Sequence, residues 1–202
     1  MLNIFARASV SRVTDPVGRW LVGVGLTPNA ITLVGTAGAI AGALWLFPAG
    51  HLLAGTFVVW GFAMFDLLDG AMARARGGGT RYGAVLDATC DRLADGALFS
   101  GIAWYAFFVA QDALLASTAL ICLVTAQVIS YVKARAEASG LSADGGLVER
   151  AERLITTLVG TGLVGLGVPY ALHVALVLLS VGSVVTVAQR LVAVRRSAEE
   201  RA

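Results

Sequence analysis

The chain has 202 residues, of which 57% are hydrophobic and 14% charged, and its formal net charge is +2. A soluble domain carries about 25% charged residues, and the mean hydropathy here is +0.80. A water-facing globular surface is therefore excluded, and lipid is the expected solvent.

The expected fold is a single all-α integral membrane domain over residues 1–202, with a juxtamembrane helix region at 1–26 and a six-helix bundle at 27–202. No linker composition or internal repeat divides it. Residues 1–13 interleave Leu2, Ile4, Phe5, Val10 and Val13 with Arg7 and Arg12, and no continuous apolar run marks a secretory signal. The pattern suits an interfacial amphipathic helix, with a frayed terminal tail as the plainer alternative.

A membrane-crossing helix needs about 20 apolar residues. Six segments meet this, at 29–47, 52–73, 83–110, 113–138, 150–167 and 169–194. Pro28 suits the first turn of the first span. Gly38 and Gly42 form a small-residue face, and glycines at 160, 162, 165 and 167 lighten the fifth span.

All 15 Lys and Arg residues fall on one side of this six-span plan, and the other side carries a single acid, Asp112. The positive-inside rule then places both termini and the even-numbered connections in the cytoplasm of a multi-pass plasma-membrane protein. Cys90 and Cys122 lack metal-ligand spacing and read as small apolar packing residues.

Four acids sit inside two spans: Asp66 and Asp69 in the second, Asp87 and Asp91 in the third. Acids at membrane depth point to function, and spacings of three and four put each pair on one helical face. Two like charges at 4 Å repel by roughly 4 kcal/mol near a surface. A cation between the carboxylates relieves this, and an all-oxygen ligand set favours Mg²⁺ or Mn²⁺ over zinc. His51 and His173 fall toward the opposite side and read as packing or interfacial residues. A transporter's ion pathway is the competing reading, but it needs polar groups across the full depth, and the outer half of the spans has none. Salt bridges to Arg74 and Arg81 are the other.

The same residues spell a signature. Asp66, Asp69, Gly70, Ala73, Arg74, Gly83, Asp87 and Asp91 match the pattern D-x2-D-G-x2-A-R-x8-G-x3-D-x3-D. The chain thereby resembles the CDP-alcohol phosphotransferase family over nearly its whole length. The resemblance implies a two-metal site using Asp66, Asp69, Asp87 and Asp91, with two Mg²⁺ ions (Mn²⁺ as the alternative). It implies Asp91 as the catalytic proton acceptor. It also implies contacts to the CDP-diacylglycerol donor from Asn29, Ala30, Ile31, Thr32, Gly70, Arg74 and Thr80. A metal beside Asp91 would oppose the raised pKa that a general base needs. Gly77, Gly78, Gly79 and Thr80 read equally as a phosphate cradle or a turn. Asp95, one turn past Asp91, reads as a supporting group or a partner of Arg92.

Family members differ in the attacking alcohol. A phosphorylated acceptor needs its own cations, and Lys133, Arg135, Arg153 and Arg190 are candidates, with positive-inside anchoring as the competing explanation. The stretches 65–72, 77–81, 83–92 and 128–140 resemble the actinobacterial members that join inositol 1-phosphate to CDP-diacylglycerol and release CMP. In that comparison the same four cations match the acceptor-phosphate pocket, and Ala151 stands where proline is expected. The implied reaction is phosphatidyl transfer to inositol 1-phosphate, with glycerol 3-phosphate as the alternative acceptor. A homodimer is expected by the same resemblance, and nucleic acid is not an expected partner.

Overall fold

The computed structural model describes the backbone of residues 2–200 and the side chains of Arg12 and of residues 14–200. Eight α-helices succeed one another: α1 (Leu2–Gly23), α2 (Pro28–Leu46), α3 (Leu52–Ala63), α4 (Phe65–Ala75), α5 (Arg81–Trp104), α6 (Ala113–Ala138), α7 (Arg150–Gly165) and α8 (Ala171–Glu199). A π-helical turn, Tyr105–Val109, extends α5. Among the described residues there is no strand.

Among the described residues, four helical stretches are long and apolar enough to cross a membrane: Pro28–Leu46, Leu52–Ala75, Ala113–Ala138 and Ala171–Glu199. The third and fifth expected spans are helices, but they do not join this set. α5 carries Arg81, Asp87, Asp91, Arg92 and Asp95 within its length. α7 has 16 residues, about 24 Å at 1.5 Å per residue, short of the roughly 30 Å of a hydrocarbon core. The second expected span breaks at Met64 into α3 and α4, where the amide of Leu67 bonds the Met64 carbonyl at 3.1 Å. This tightened turn lies just before the first turn of α4, which carries Asp66. At the N-terminus the helix continues through Pro16 to Gly23, past the expected segment. The face on which residues 2–11 and 13 were expected to be amphipathic lies outside the described side chains.

The chain divides into two compact units, one of residues 1–42 and 58–94, the other of residues 43–57 and 95–202. In the first, α1 packs on α4. Gly18 makes this possible, since a methyl there would lie 2.9 Å from the Ala71 Cβ. Gly42 likewise lets α2 approach Val58 of α3. Asp15 of α1 accepts a hydrogen bond from Arg74 Nη2 at 2.8 Å.

In the second unit α8 packs against both α6 and α7. Its interior holds Phe47, Phe99, Ile102, Cys122, Ile129, Leu172 and Leu176, each at most 2% exposed. Small residues close the seams, as where Gly160 meets Ala175. Hydroxyls knit the helices: Thr56 and Thr161 meet at 2.7 Å, and Thr186 Oγ1 accepts from the Val148 amide at 2.9 Å. Both cysteines are buried and free. Many large apolar side chains face outward, Trp45, Phe57, Trp60 and Leu178 among them, as a lipid solvent requires.

Asp112 starts α6 by accepting the Leu115 amide at 2.9 Å, a side-chain N-cap. Its other oxygen lies 2.6 Å from His173 Nε2 of α8. The Leu115 amide first, and His173 second, hold the Asp112 carboxyl below the ordinary carboxylate range.

Candidate active site

Asp66 opens α4, Asp69 comes one turn later, and Asp87 lies on α5. One carboxylate oxygen from each lies within 4.8 Å of the others. Three carboxylates this close form a hard oxygen donor set, which fits Mg²⁺ or Mn²⁺ without change of ligand type. Asp91, one turn beyond Asp87, stands outside this group of three, with Oδ2 3.8 Å from Arg92 Nη2.

The neighbouring elements explain how the carboxylates are held. Thr32 of α2 donates a hydrogen bond to Asp69 and also reaches the Pro28 carbonyl at 3.1 Å. Thr32, one of the residues expected at the nucleotide, thus also bonds one of the three clustered carboxylates. Thr80 caps α5 by accepting the Gly83 amide at 2.9 Å. A methyl at Gly83 would lie 3.1 Å from Thr80 Oγ1 and 3.3 Å from Asn29 Oδ1. Asn29, Thr80 and the signature glycine therefore meet in one place, and the crowding explains why position 83 carries no side chain. Ala30 and Ile31 lie in the first turn of α2, their amides bonded to the Thr27 carbonyl.

Gly70 is open, the nearest group to an added methyl being Arg74 Nη1 at 3.6 Å. Arg74 leans on Asp15 through a single nitrogen and is 59% exposed, so other donors of its fork face outward. After α4 the chain turns with Gly77 at φ +88° and Gly78 at φ +134°. The Gly78 amide closes on the Ala73 carbonyl at 2.9 Å, a helix stop that demands glycine.

The four candidate acceptor cations all belong to the second unit, in two different states. Lys133 and Arg135 end α6 with substantial exposure, Lys133 Nζ lying 3.9 Å from Glu137. Arg153 and Arg190 are buried, at 2% and 5% exposure. Arg190 donates to the Gly145 carbonyl at 3.1 Å and the Ile129 carbonyl at 2.8 Å. Arg153 Nη2 donates to Asp95 Oδ2 at 3.0 Å, while Arg150 Nε lies 3.8 Å from Asp95 Oδ1. Arg190 lies within electrostatic reach of Arg153, Glu149, Asp144 and Glu137.

Sequence reasoning missed three partners. Asp15 was legible in principle, being the single acid before Asp66. Asp95 was visible as an acid inside a span, but nothing local links it to Arg153. The Asp112–His173 pair joins the expected far-side acid to one of two far-side histidines, and spacing alone gives no sign of it.

Residues 25–188 match the model of a family described as CDP-alcohol phosphatidyltransferase. The chain is 57% identical over 198 residues to the phosphatidylinositol phosphate synthase of Mycobacteroides abscessus, covering 98% of this chain and 90% of that protein. It is also 57% identical to the Mycobacterium tuberculosis enzyme of the same name, over 94% of this chain and 89% of that one. The crystal structure of the M. tuberculosis synthase with CDP-DAG bound superposes with a TM-score of 0.87 at 58% identity, covering 91% of this chain and 94% of that one. The structure of that enzyme with manganese and citrate gives a TM-score of 0.88 at 58% identity, over 91% and 90%.

Proposed function

Because this chain belongs to the CDP-alcohol phosphatidyltransferase family, we propose that it transfers the phosphatidyl group of CDP-diacylglycerol to a hydroxyl of inositol 1-phosphate, giving phosphatidylinositol phosphate and CMP. The observation that carries the reading is the meeting of Asp66, Asp69 and Asp87 within 4.8 Å. It occurs in a chain 57% identical, over nearly its full length, to enzymes named for that product.

The reaction is an in-line displacement at the phosphorus bearing the diacylglycerol. An acceptor hydroxyl oxygen forms the new P–O bond, the bond to the CMP oxygen breaks, and the hydroxyl proton passes to Asp91. Asp66, Asp69, Asp87 and Asp91 hold two divalent ions, Mg²⁺ with Mn²⁺ as the alternative. When bound, those ions neutralise the donor's pyrophosphate and the charge that develops on CMP.

Gly70 admits the nucleotide against the backbone of α4, and Arg74 turns its outward donors to a phosphate. Asn29 and Thr80, which converge on Gly83, offer the polar contacts for the CDP head, together with the backbone of Ala30 and Ile31. Thr32 completes that donor-contacting stretch and also donates to Asp69. Lys133, Arg135, Arg153 and Arg190 receive the acceptor's phosphate.

The membrane plan has six spans, with α5 and α7 crossing alongside the four more apolar segments. An interfacial amphipathic segment lies at the N-terminus, and both termini and the site face the cytoplasm. The supporting observation is the placement of all 15 Lys and Arg residues on one side of that plan. The enzyme works as a homodimer in the plasma membrane.

The test is an acceptor panel. Purified protein, CDP-diacylglycerol and Mg²⁺ are incubated with labelled inositol 1-phosphate, inositol, glycerol 3-phosphate or serine. Product with inositol 1-phosphate alone is expected. Product with glycerol 3-phosphate alone would replace the acceptor while leaving the reaction class.

A further inference from the structure

Asp95 is 3% exposed and Arg153 2% exposed, so a carboxylate and a guanidinium share the interior of the second unit. A carboxylate and an arginine pair best through two parallel hydrogen bonds. Here only Nη2 of Arg153 reaches Asp95, and Nε and Nη1 are buried without a hydrogen-bond partner. An unsatisfied buried donor costs about 1–3 kcal/mol, more when charged. A pair serving stability alone would not leave two such donors on one side chain.

Arg153 does not have Asp95 to itself. The single carboxylate of Asp95 faces two guanidiniums, Arg153 at 3.0 Å and Arg150 at 3.8 Å. Arg190, also buried, has carbonyls as its hydrogen-bond partners. Glu149 is occupied in the capping box that starts α7. One turn beyond Arg153 on α7, the Thr157 hydroxyl is likewise buried and unpartnered, so the same helical face offers a further polar group.

We infer that Asp95 is a positioning residue for the acceptor's phosphate: it grips Arg153 by Nη2 alone and thereby fixes the guanidinium with N–H groups on Nε and Nη1 left to donate to the anion. The inference rests on the proposed use of a phosphorylated acceptor. Asp95 touches neither substrate nor metal in this role; it sets the orientation of the guanidinium that does. Arg153 is thus the buried cation with two unengaged nitrogens, while Arg190 joins it in the pocket and also bonds the Gly145 and Ile129 carbonyls.

The test is full steady-state kinetics on Asp95→Asn and Asp95→Glu in the intact detergent-solubilised enzyme, varying each substrate in turn. Asp95→Asn is expected to raise the acceptor KM about tenfold or more, with kcat and the CDP-diacylglycerol KM within about twofold of wild type. Asp95→Glu, which keeps the charge but displaces it by a methylene, is expected to raise the acceptor KM by roughly threefold or more. Equal changes in both KM values, or a fall in kcat alone, would overturn the assignment. So would an Asp95→Glu enzyme with wild-type constants beside an Asp95→Asn protein that does not fold, since that pattern marks charge neutralisation only. If wild type uses glycerol 3-phosphate in place of inositol 1-phosphate, the acceptor reading fails. The Asp95 assignment is then decided by the glycerol 3-phosphate KM, so the two failures stay distinct.

Discussion

Thr32 on α2 donates its hydroxyl hydrogen to Asp69 on α4, so a helix that contributes no acidic ligand nevertheless fixes one of the three converging carboxylates. Groups that orient a metal ligand from behind are worth roughly 10–100-fold in metal affinity or activity. Thr32→Val keeps the shape and removes the donor. The variant is expected to need about tenfold more Mg²⁺ for half-maximal activity, while its maximal rate at saturating Mg²⁺ falls less. A titration of activity against Mg²⁺ reads this directly, and an unchanged midpoint would contradict it.

Asp87 is the carboxylate that α5 contributes to the group of three. Asp87→Asn removes a full negative charge and leaves a neutral amide of the same size. Metal-assisted charge stabilisation is worth several kcal/mol, so turnover is expected to fall by about a thousandfold or more. The melting temperature in detergent without added metal is expected to stay level or rise, because one of three mutually repelling acids has gone. Asp66→Asn is expected to behave alike. Retention of more than a tenth of wild-type turnover by either variant would refute metal-dependent catalysis at this cluster.

How much of the site could be read along the chain depends on the distance over which each contact acts. Asp66 and Asp69 lie one turn apart, so helical periodicity alone puts them on one face. Asp87 joins them through the glycine-bounded turn between α4 and α5. Periodicity also put Asp91 on the face of Asp87, but the group of three forms without it, because a shared face does not fix where a side chain ends. Thr32 lies 37 residues from Asp69 and Asp95 lies 58 from Arg153. Such pairs arise from helix packing, which no local pattern encodes. Helices at the six expected segments were legible from hydropathy, although four of the described stretches are long and apolar enough to cross a membrane; the interruption at Met64 was not legible. α5 escapes the apolar criterion because it carries Arg81, Asp87, Asp91, Arg92 and Asp95.

Gly83 is a signature position whose reason is steric. A methyl there would stand 3.1 Å from Thr80 Oγ1 and 3.3 Å from Asn29 Oδ1, closer than either neighbour accommodates without shifting. Gly83→Ala is expected to raise the KM for CDP-diacylglycerol by about tenfold, the usual consequence of moving positioning groups by a fraction of an ångström. The acceptor KM is expected to stay nearly constant, because Lys133, Arg135, Arg153 and Arg190 all belong to the other unit. Steady-state kinetics with each substrate varied in turn separates these outcomes.

Asp112 offers a test that leaves the catalytic residues untouched. Its carboxylate caps α6 through the Leu115 amide and meets His173 of α8 at 2.6 Å, and both contacts favour the ionised form. The folded-state pKa is therefore depressed. A depressed carboxylate pKa contributes stability above the unfolded value, near 3.9, and the contribution fades as pH falls through the lower folded value. Asp112→Ala removes the cap and the His173 contact together. Its melting temperature is expected to lie roughly 2–4 °C below wild type at pH 7, with the gap narrowing as pH is lowered past about 4. Melting curves of both proteins from pH 7 to pH 3 in one detergent provide the comparison. A gap that widened on acidification would mean that the carboxylate is stabilised in its protonated form, contrary to the hydrogen bonds it accepts.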